Sequence, residues 1–577
     1  MIHAFTEVVT DVLIIGSGAA ALRAALEAHD GGADVLAVIK GEFRRSGATF
    51  HSVAEVGAFN VPDDAGLTGD SPATFLDDIL TAGQGMSDPR LSAILANEAE
   101  DAMHYLERYG VEFDRKDGRY LVFRACFSSK PRSHVIQDHF KPIVKALGAE
   151  ASRRGIRVMD RTMVVNLIVR DGQCYGVYAL DKNGSPVVIR AKATIMTTGG
   201  ASQLFAKNLY PADITGDGYA MAHRAGAYLV NMEFMQAGVS IVSPFINLFG
   251  NYLWDARPNL TDRDGKVFVP DYLPDGTTLD SVIRQKERHF PFSSRDISRY
   301  IEISIQKAIN EGRGTDEGGV YMDFIDTDFD EVLADETRSI AKMWSTTYEW
   351  YKARGADLYR DKVQIACSAH AVNGGIYIDD DAQSNIKGLF AAGEVAAGPH
   401  GADRLGGNMS VTCQVFGRRA GRAAATRARN IEHPRFNDIY EEQHAFMSQF
   451  RGRGEESLPE LRKRLQREAN RYLLVVREED GLRRFAETCQ EMHKALRSAT
   501  AIETPEDVIH ALELNNLCEV GSLMTMAAQE RRESRGGHYR EDFPYQGETQ
   551  GTNIFLHAAK PDGFFRARFA DLRQEIA

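Results

Sequence analysis

The chain has 577 residues, more than the roughly 250 to 300 at which one hydrophobic core stops growing, so several domains are expected. Its 68 Lys and Arg against 81 Asp and Glu give a net charge of −13, which argues against nucleic acid or an anionic lipid surface as the main partner. Hydrophobic residues make up 43%, yet no apolar run reaches the roughly 18 residues of a membrane span, and Met1–Val12 has neither the basic nor the apolar region of a signal peptide; no direct membrane span and a cytoplasmic location are expected, with any membrane association made through a partner.

In chain order, the β-branched run Asp11–Ile15 reads as a strand, Gly16-Ser-Gly18 as a tight turn and the Ala-rich sequence from Ala19 and Ala20 onward as a helix. Gly16 permits the turn, Gly18 lets backbone approach a pyrophosphate, Ala21 takes the third glycine position, and the helix N-terminus offers unpaired N–H groups. A second strand, Asp34–Ile39, ends in Lys40 where a nicotinamide-dinucleotide site usually has a carboxylate, and Glu42 comes late; this favours a flavin dinucleotide. Alternating strand and helix signals run to about residue 230 and resume over 361–430. The stretch 231–360 between them reads as an inserted α+β cap, and 431–577 as a helical C-terminal domain with an irregular tail. The six cysteines, Cys126, Cys174, Cys367, Cys413, Cys489 and Cys518, show no C-x-x-C pair and no iron–sulfur spacing, so reduced thiols and no metal site are expected.

Further glycine-rich blocks occur at Thr197–Gly200, Thr215–Ala227, Leu389–Val395, His400–Asn408 and Glu533–Asp542. Taken together, in this order and over nearly the whole chain, they resemble the succinate dehydrogenase/fumarate reductase flavoprotein family, which includes L-aspartate oxidase. The resemblance implies a Rossmann-like FAD-binding α/β domain, an inserted cap and a helical C-terminal domain. It implies FAD held by Gly16, Gly18, Ala19, Ala20, Lys40, Ser46, Thr49, Gly199, Gly200, Asp217, Gly393, Glu394, Arg404, Asn408 and Ser410, with Glu394 on the ribose side. It also assigns three catalytic positions. Arg295, in Ser294-Arg-Asp296, matches the proton donor or acceptor, with Asp296 as a relay; His370, in Ala369–Ile376, and Arg404 match a clamp on a substrate carboxylate.

The sequence departs from the family where a second carboxylate is held. Met232–Ser240 has Gly238 in place of a histidine, and Phe245–Asp255 replaces the segment T-E-G-x-R-G-E-G-G. The loop Ser128–His134 offers Lys130, Arg132 and His134 as a replacement substrate-binding site, or is a surface loop with solvated charges. Phe245, Leu248, Tyr252 and Trp254 either line a wider pocket suited to an apolar substrate half or pack as core. In Arg45–His51, Gly47 or Ala48 occupies the position of the flavin-linking histidine, so FAD is expected to be non-covalent unless His51 shifts inward. The expected function is hydride transfer between flavin and a small carboxylate-bearing substrate other than succinate, at a C–C or C–N bond beside the carboxylate. The alternatives are an L-aspartate oxidase, or a flavoprotein subunit docking on an iron–sulfur electron-transfer partner, as in fumarate reductases and adenylylsulfate reductases.

Overall fold

The computed structural model describes residues 6–51, 56–248, 250–336, 338–433, 439–450, 454–498, 500–547, 552–560 and 562–576. At its centre the strand Thr6–Ile15 lies between Val35–Val38 and Pro186–Met196, parallel to both. Arg157–Met159 extends the sheet beyond Val35–Val38, and Leu389–Ala391 pairs in parallel with Thr194–Met196. Gln173–Leu180 and Met163–Arg170 complete it as an antiparallel meander on the other end of Pro186–Met196. Val12 to Ile15 are all buried, as expected of a central parallel strand covered on both faces. The helices Ala19–Asp30 and Asn408–Asn430 lie against each other over this sheet.

The parallel strands finish at one edge, so Gly16, Lys40, Thr197 to Gly199 and Gly393 to Glu394 all emerge there, at the carboxyl ends where such sheets bind ligands. Gly16 makes the first turn with φ of +124°, and a Cβ on it would lie 2.5 Å from the Thr197 carbonyl oxygen, so only glycine fits.

The cap carries a second sheet in the order Asn247–Leu248, Met235–Ser243, Val363–Val372, Val320–Asp323, Asn259–Thr261. Its central strand, Val363–Val372, lies past the cap boundary read at residue 360: the cap reaches about ten residues further, because Val363–Val372 is hydrogen-bonded to cap strands on both sides. The C-terminal region contains the helices Leu458–Tyr472, Glu479–Ser498 and Pro505–Glu530. The tail is more regular than the sequence suggests. Asn553–Leu556 and Phe564–Ala567 form a hairpin, and its buried Ile554, Phe555 and Leu556 return the chain to Leu229–Val230 at the base of the cap.

Candidate active site

A cavity of about 1390 Å³ runs from the Gly16 turn to the cap sheet. That exceeds the roughly 300 to 1,000 Å³ of ordinary ligand pockets, leaving room for a dinucleotide and a second molecule. At the dinucleotide end it is lined by Gly16, Gly18, Ala19, Ala20, Lys40, Ser46, Thr49, Gly199 and Asp217. The helix Ala19–Asp30 has no side-chain cap at its N-terminus, and the buried Thr198 hydroxyl beside it has no partner, so polar groups there suit a pyrophosphate. Lys40 bonds Asp217 at 2.8 Å and Glu513 at 2.7 Å. Burial alone would lower the ammonium pKa, but the two carboxylates outweigh it and hold it above the usual value.

At the other end, Gly393, Glu394, Arg404 and Ser410 line the same cavity with His370, Gln236 and Phe290. His370 arrives through an irregularity of the backbone. Gln236 pairs with Ala371 and Ala237 with Ala369, so His370 is the extra residue of a β-bulge, turned out of the sheet's register toward the cavity. Its Nδ1 lies 3.0 Å from the Tyr210 hydroxyl. Burial and the Arg404 charge hold its pKa down at about 3, so the ring is neutral at physiological pH. With Tyr210 donating to Nδ1, the ring proton sits on Nε2 and is free to donate to an anion.

Arg404 is buried, and burial lowers its pKa, though not enough for it to lose its charge. Its Nη1 donates to the Leu405 carbonyl at 3.2 Å, while Nε is buried without a partner. Among the described residues no carboxylate forms an ion pair with it. A buried, unpaired guanidinium facing a cavity is costly unless a ligand supplies the anion. Glu394 takes a bond from the Val372 N–H at 3.0 Å, and burial raises its pKa to about 7. Its charged neighbours are Arg404 and Tyr210, whereas those of Lys40 are Asp217 and Glu513. Glu394 thus stands at the Arg404 end of the cavity, away from the end of the second strand.

Residues 11–410 match the FAD binding domain family, and residues 462–562 match the fumarate reductase flavoprotein C-terminal family. The chain belongs to the succinate dehydrogenase/fumarate reductase flavoprotein family. The flavoprotein is 32% identical over 551 residues to a fumarate reductase (CoM/CoB) subunit from Methanothermobacter marburgensis, covering 92% of this chain and 94% of that one. It is 28% identical to an L-aspartate oxidase of Synechocystis, covering 95% and 98%. Among solved structures, Mycobacterium smegmatis Sdh1 superposes with a TM-score of 0.81 at 27% identity, covering 98% and 94% of the two chains. The flavoprotein is an FAD-dependent oxidoreductase. Among its described residues no helix is long and apolar enough to cross a membrane.

Several positions differ from the sequence reading. Lys130, Arg132 and His134 do not line the cavity. Lys130 is exposed and donates to the Thr68 carbonyl; Arg132 is buried, bidentate to Asp70 at 2.8 Å and bonded to Asp78 at 2.6 Å; His134 is buried between the Arg132 carbonyl and Asp63. Their donors are already taken by the chain itself, so they tie the Ser128–His134 loop down and leave nothing for a substrate. Gly200 and Asn408 also stand off the cavity wall: Gly200 backs onto the Glu394 carboxylate, and Asn408 bonds Asn60. Of the four aromatic and apolar candidates, Leu248 and Tyr252 line the cavity, while Phe245 packs on Trp350 and Tyr351 and Trp254 is core.

Arg295 lies one layer behind the wall, its guanidinium 4.4 Å over Phe127 and 2.8 Å from Asp403. Asp296, the expected relay, faces His289, Ser298 and Gln285 instead. Asp403 takes its place. That carboxylate is fully buried, receives Arg295, Ser293 at 2.7 Å and Gln84 at 2.9 Å on one oxygen, and burial raises its pKa. Asp403, Gln236 and Phe290 all fall within or beside motifs that were legible in the sequence. Tyr210 and Glu513 had no local signal.

Proposed function

We propose that the flavoprotein oxidises or reduces a carbon–carbon or carbon–nitrogen bond beside the carboxylate of a small acid other than succinate, with FAD held non-covalently. The observation that carries this reading is the convergence of a neutral buried His370 and an unpaired buried Arg404 on one cavity wall, opposite the dinucleotide cradle. Arg404 supplies the charge and the planar fork for a carboxylate, and His370 supplies one further donor. Bound FAD supplies the hydride acceptor or donor. The accompanying proton is assigned to Arg295, backed by the buried Asp403; donors of this kind often sit at long range without substrate and tighten when it binds.

Non-covalent attachment is supported by Gly47 and Ala48 on the cavity wall and by His51, which is exposed, edge-on to Phe50 and off that wall. For the electrons' other end we favour a separate iron–sulfur protein, since the six cysteines are free thiols and, among the described residues, no metal-binding cluster is present.

The test is anaerobic titration of the oxidised holoprotein with saturated acids, and of the reduced protein with unsaturated ones, following the flavin band. Bleaching or recolouring by acids carrying one carboxylate, weakened tenfold or more by Arg404→Lys, is the expected outcome. Rapid turnover of succinate would rule out the departure from the dicarboxylate pattern.

A further inference from the structure

Gly238 stands where the sequence lacks a second carboxylate ligand, and the space it leaves is filled. A Cβ on Gly238 would come within 2.7 to 3.0 Å of three atoms of the Phe290 ring. That ring also lines the cavity and lies 6.1 Å, centroid to centroid, from the ring of His370. A carboxylate held by His370 and Arg404 therefore has an aromatic wall beside it, on the side where a second carboxylate would need donors.

Phe290 is fixed at both of its backbone polar groups. Its N–H donates to the Cys126 sulfur at 3.0 Å, and its carbonyl accepts from the Lys286 ammonium at 2.8 Å. Lys286 is itself buried in an ion pair with the fully buried Glu302. The next residues are bound to the cap strand: Pro291 bridges to Gly238, and the Phe292 N–H donates to the Ala237 carbonyl at 2.7 Å. A ring held this way cannot swing aside cheaply to admit water or a charged group, because its backbone anchors would have to break in a buried site. Beyond it the cavity continues past Leu248, Tyr252 and Met343.

We infer that Phe290 is the specificity-determining residue of this site, and that the substrate is a monocarboxylic acid carrying an apolar, branched or aromatic group where a dicarboxylate carries its second charge. The inference rests on the proposed carboxylate clamp and deepens it. A second carboxylate in that place would be stripped of water against an aromatic face with no donor in return, whereas an apolar group would bury its surface there.

The experiment measures dissociation constants from perturbation of the flavin absorption band in oxidised holoprotein, using cinnamate, crotonate and fumarate as probes. In the wild type cinnamate is expected to bind at least about tenfold more tightly than fumarate. Phe290→Ala should erase that preference, while Phe290→Leu, which keeps apolar volume, should retain most of it; flavin content and melting temperature establish that each variant is folded. Arg404→Lys separates the two layers of the argument. Fumarate binding as tightly as cinnamate, with both weakened by Arg404→Lys, would leave the clamp standing and overturn the role of Phe290. Binding of all three probes insensitive to Arg404→Lys would overturn the clamp and the inference with it. A cinnamate preference unchanged in Phe290→Ala would overturn the inference alone.

Discussion

Arg404 and Arg295 share a residue type and differ in what surrounds them. Arg404 is fully enclosed with no carboxylate partner, while Arg295 is a quarter exposed and paired with Asp403. Their variants should therefore separate kinetically. Arg404→Lys keeps the charge but loses the fork, and is expected to raise KM by about one to two orders of magnitude with a smaller effect on kcat. Arg295→Gln should lower kcat by several orders of magnitude with binding largely kept; near-normal turnover in steady-state assays would remove Arg295 from the proton step. Glu394 gives a pH signature. Unfolded, a glutamate titrates near about 4.3, and in the fold burial raises this group to about 7, so the folded chain binds more protons between those values. Stability is then full below the lower value, falls by up to about 3 to 4 kcal/mol as pH rises through that window, and is level above it. In flavin-free protein, Glu394→Gln should remove that slope from the pH dependence of the urea midpoint.

At the scale of elements, the substrate end is built by strands and the loop beside them. The bulge in Val363–Val372 turns one histidine out of a buried sheet, and the Phe290–Phe292 segment adds itself along Ala237 and Gly238. The loop Ser128–His134 shows how charge in a sequence can mislead: its cations are consumed by Thr68, Asp70 and Asp78. Removing Arg132 would leave two buried carboxylates without their partner, so Arg132→Met is expected to cost about 3 to 5 kcal/mol of stability. The same variant, assayed below its melting temperature, should show an unchanged KM. A raised KM at full folding would return this loop to the substrate site.

For the whole molecule, distant segments meet at both ends of one cavity. Glu513 of the C-terminal helix Pro505–Glu530 reaches Lys40 at the dinucleotide end, and the Gly536 carbonyl in the tail motif accepts from the Ser294 N–H next to Arg295. The helical region and tail thus brace the FAD-binding domain against the cap. Because His51 lies outside the cavity, acid precipitation of the purified yellow protein should release all of its FAD into the supernatant. Flavin fluorescence retained on the denatured band would show a covalent link.

The sequence by itself determined the strand–turn–helix of residues 11 to 30, the FAD-binding class, the interrupted domain order, and the motifs that carry His370, Arg404 and Glu394. These are local: a glycine turn, an apolar run and a spaced motif each act within a few residues, so their chemistry is written in neighbouring letters. Only the tertiary structure decided which charges face the cavity. Lys130, Arg132 and His134 look available in a linear string, and the carboxylates and carbonyls that occupy them lie about 60 to 70 positions away. Asp403 replaced Asp296 as the partner of Arg295 for the same reason, its carboxylate arriving from 108 residues along the chain. The void at Gly238 is filled by Phe290, 52 positions later, because a buried gap beside a strand is closed by whichever side chain the fold brings there, and sequence separation sets no limit on that.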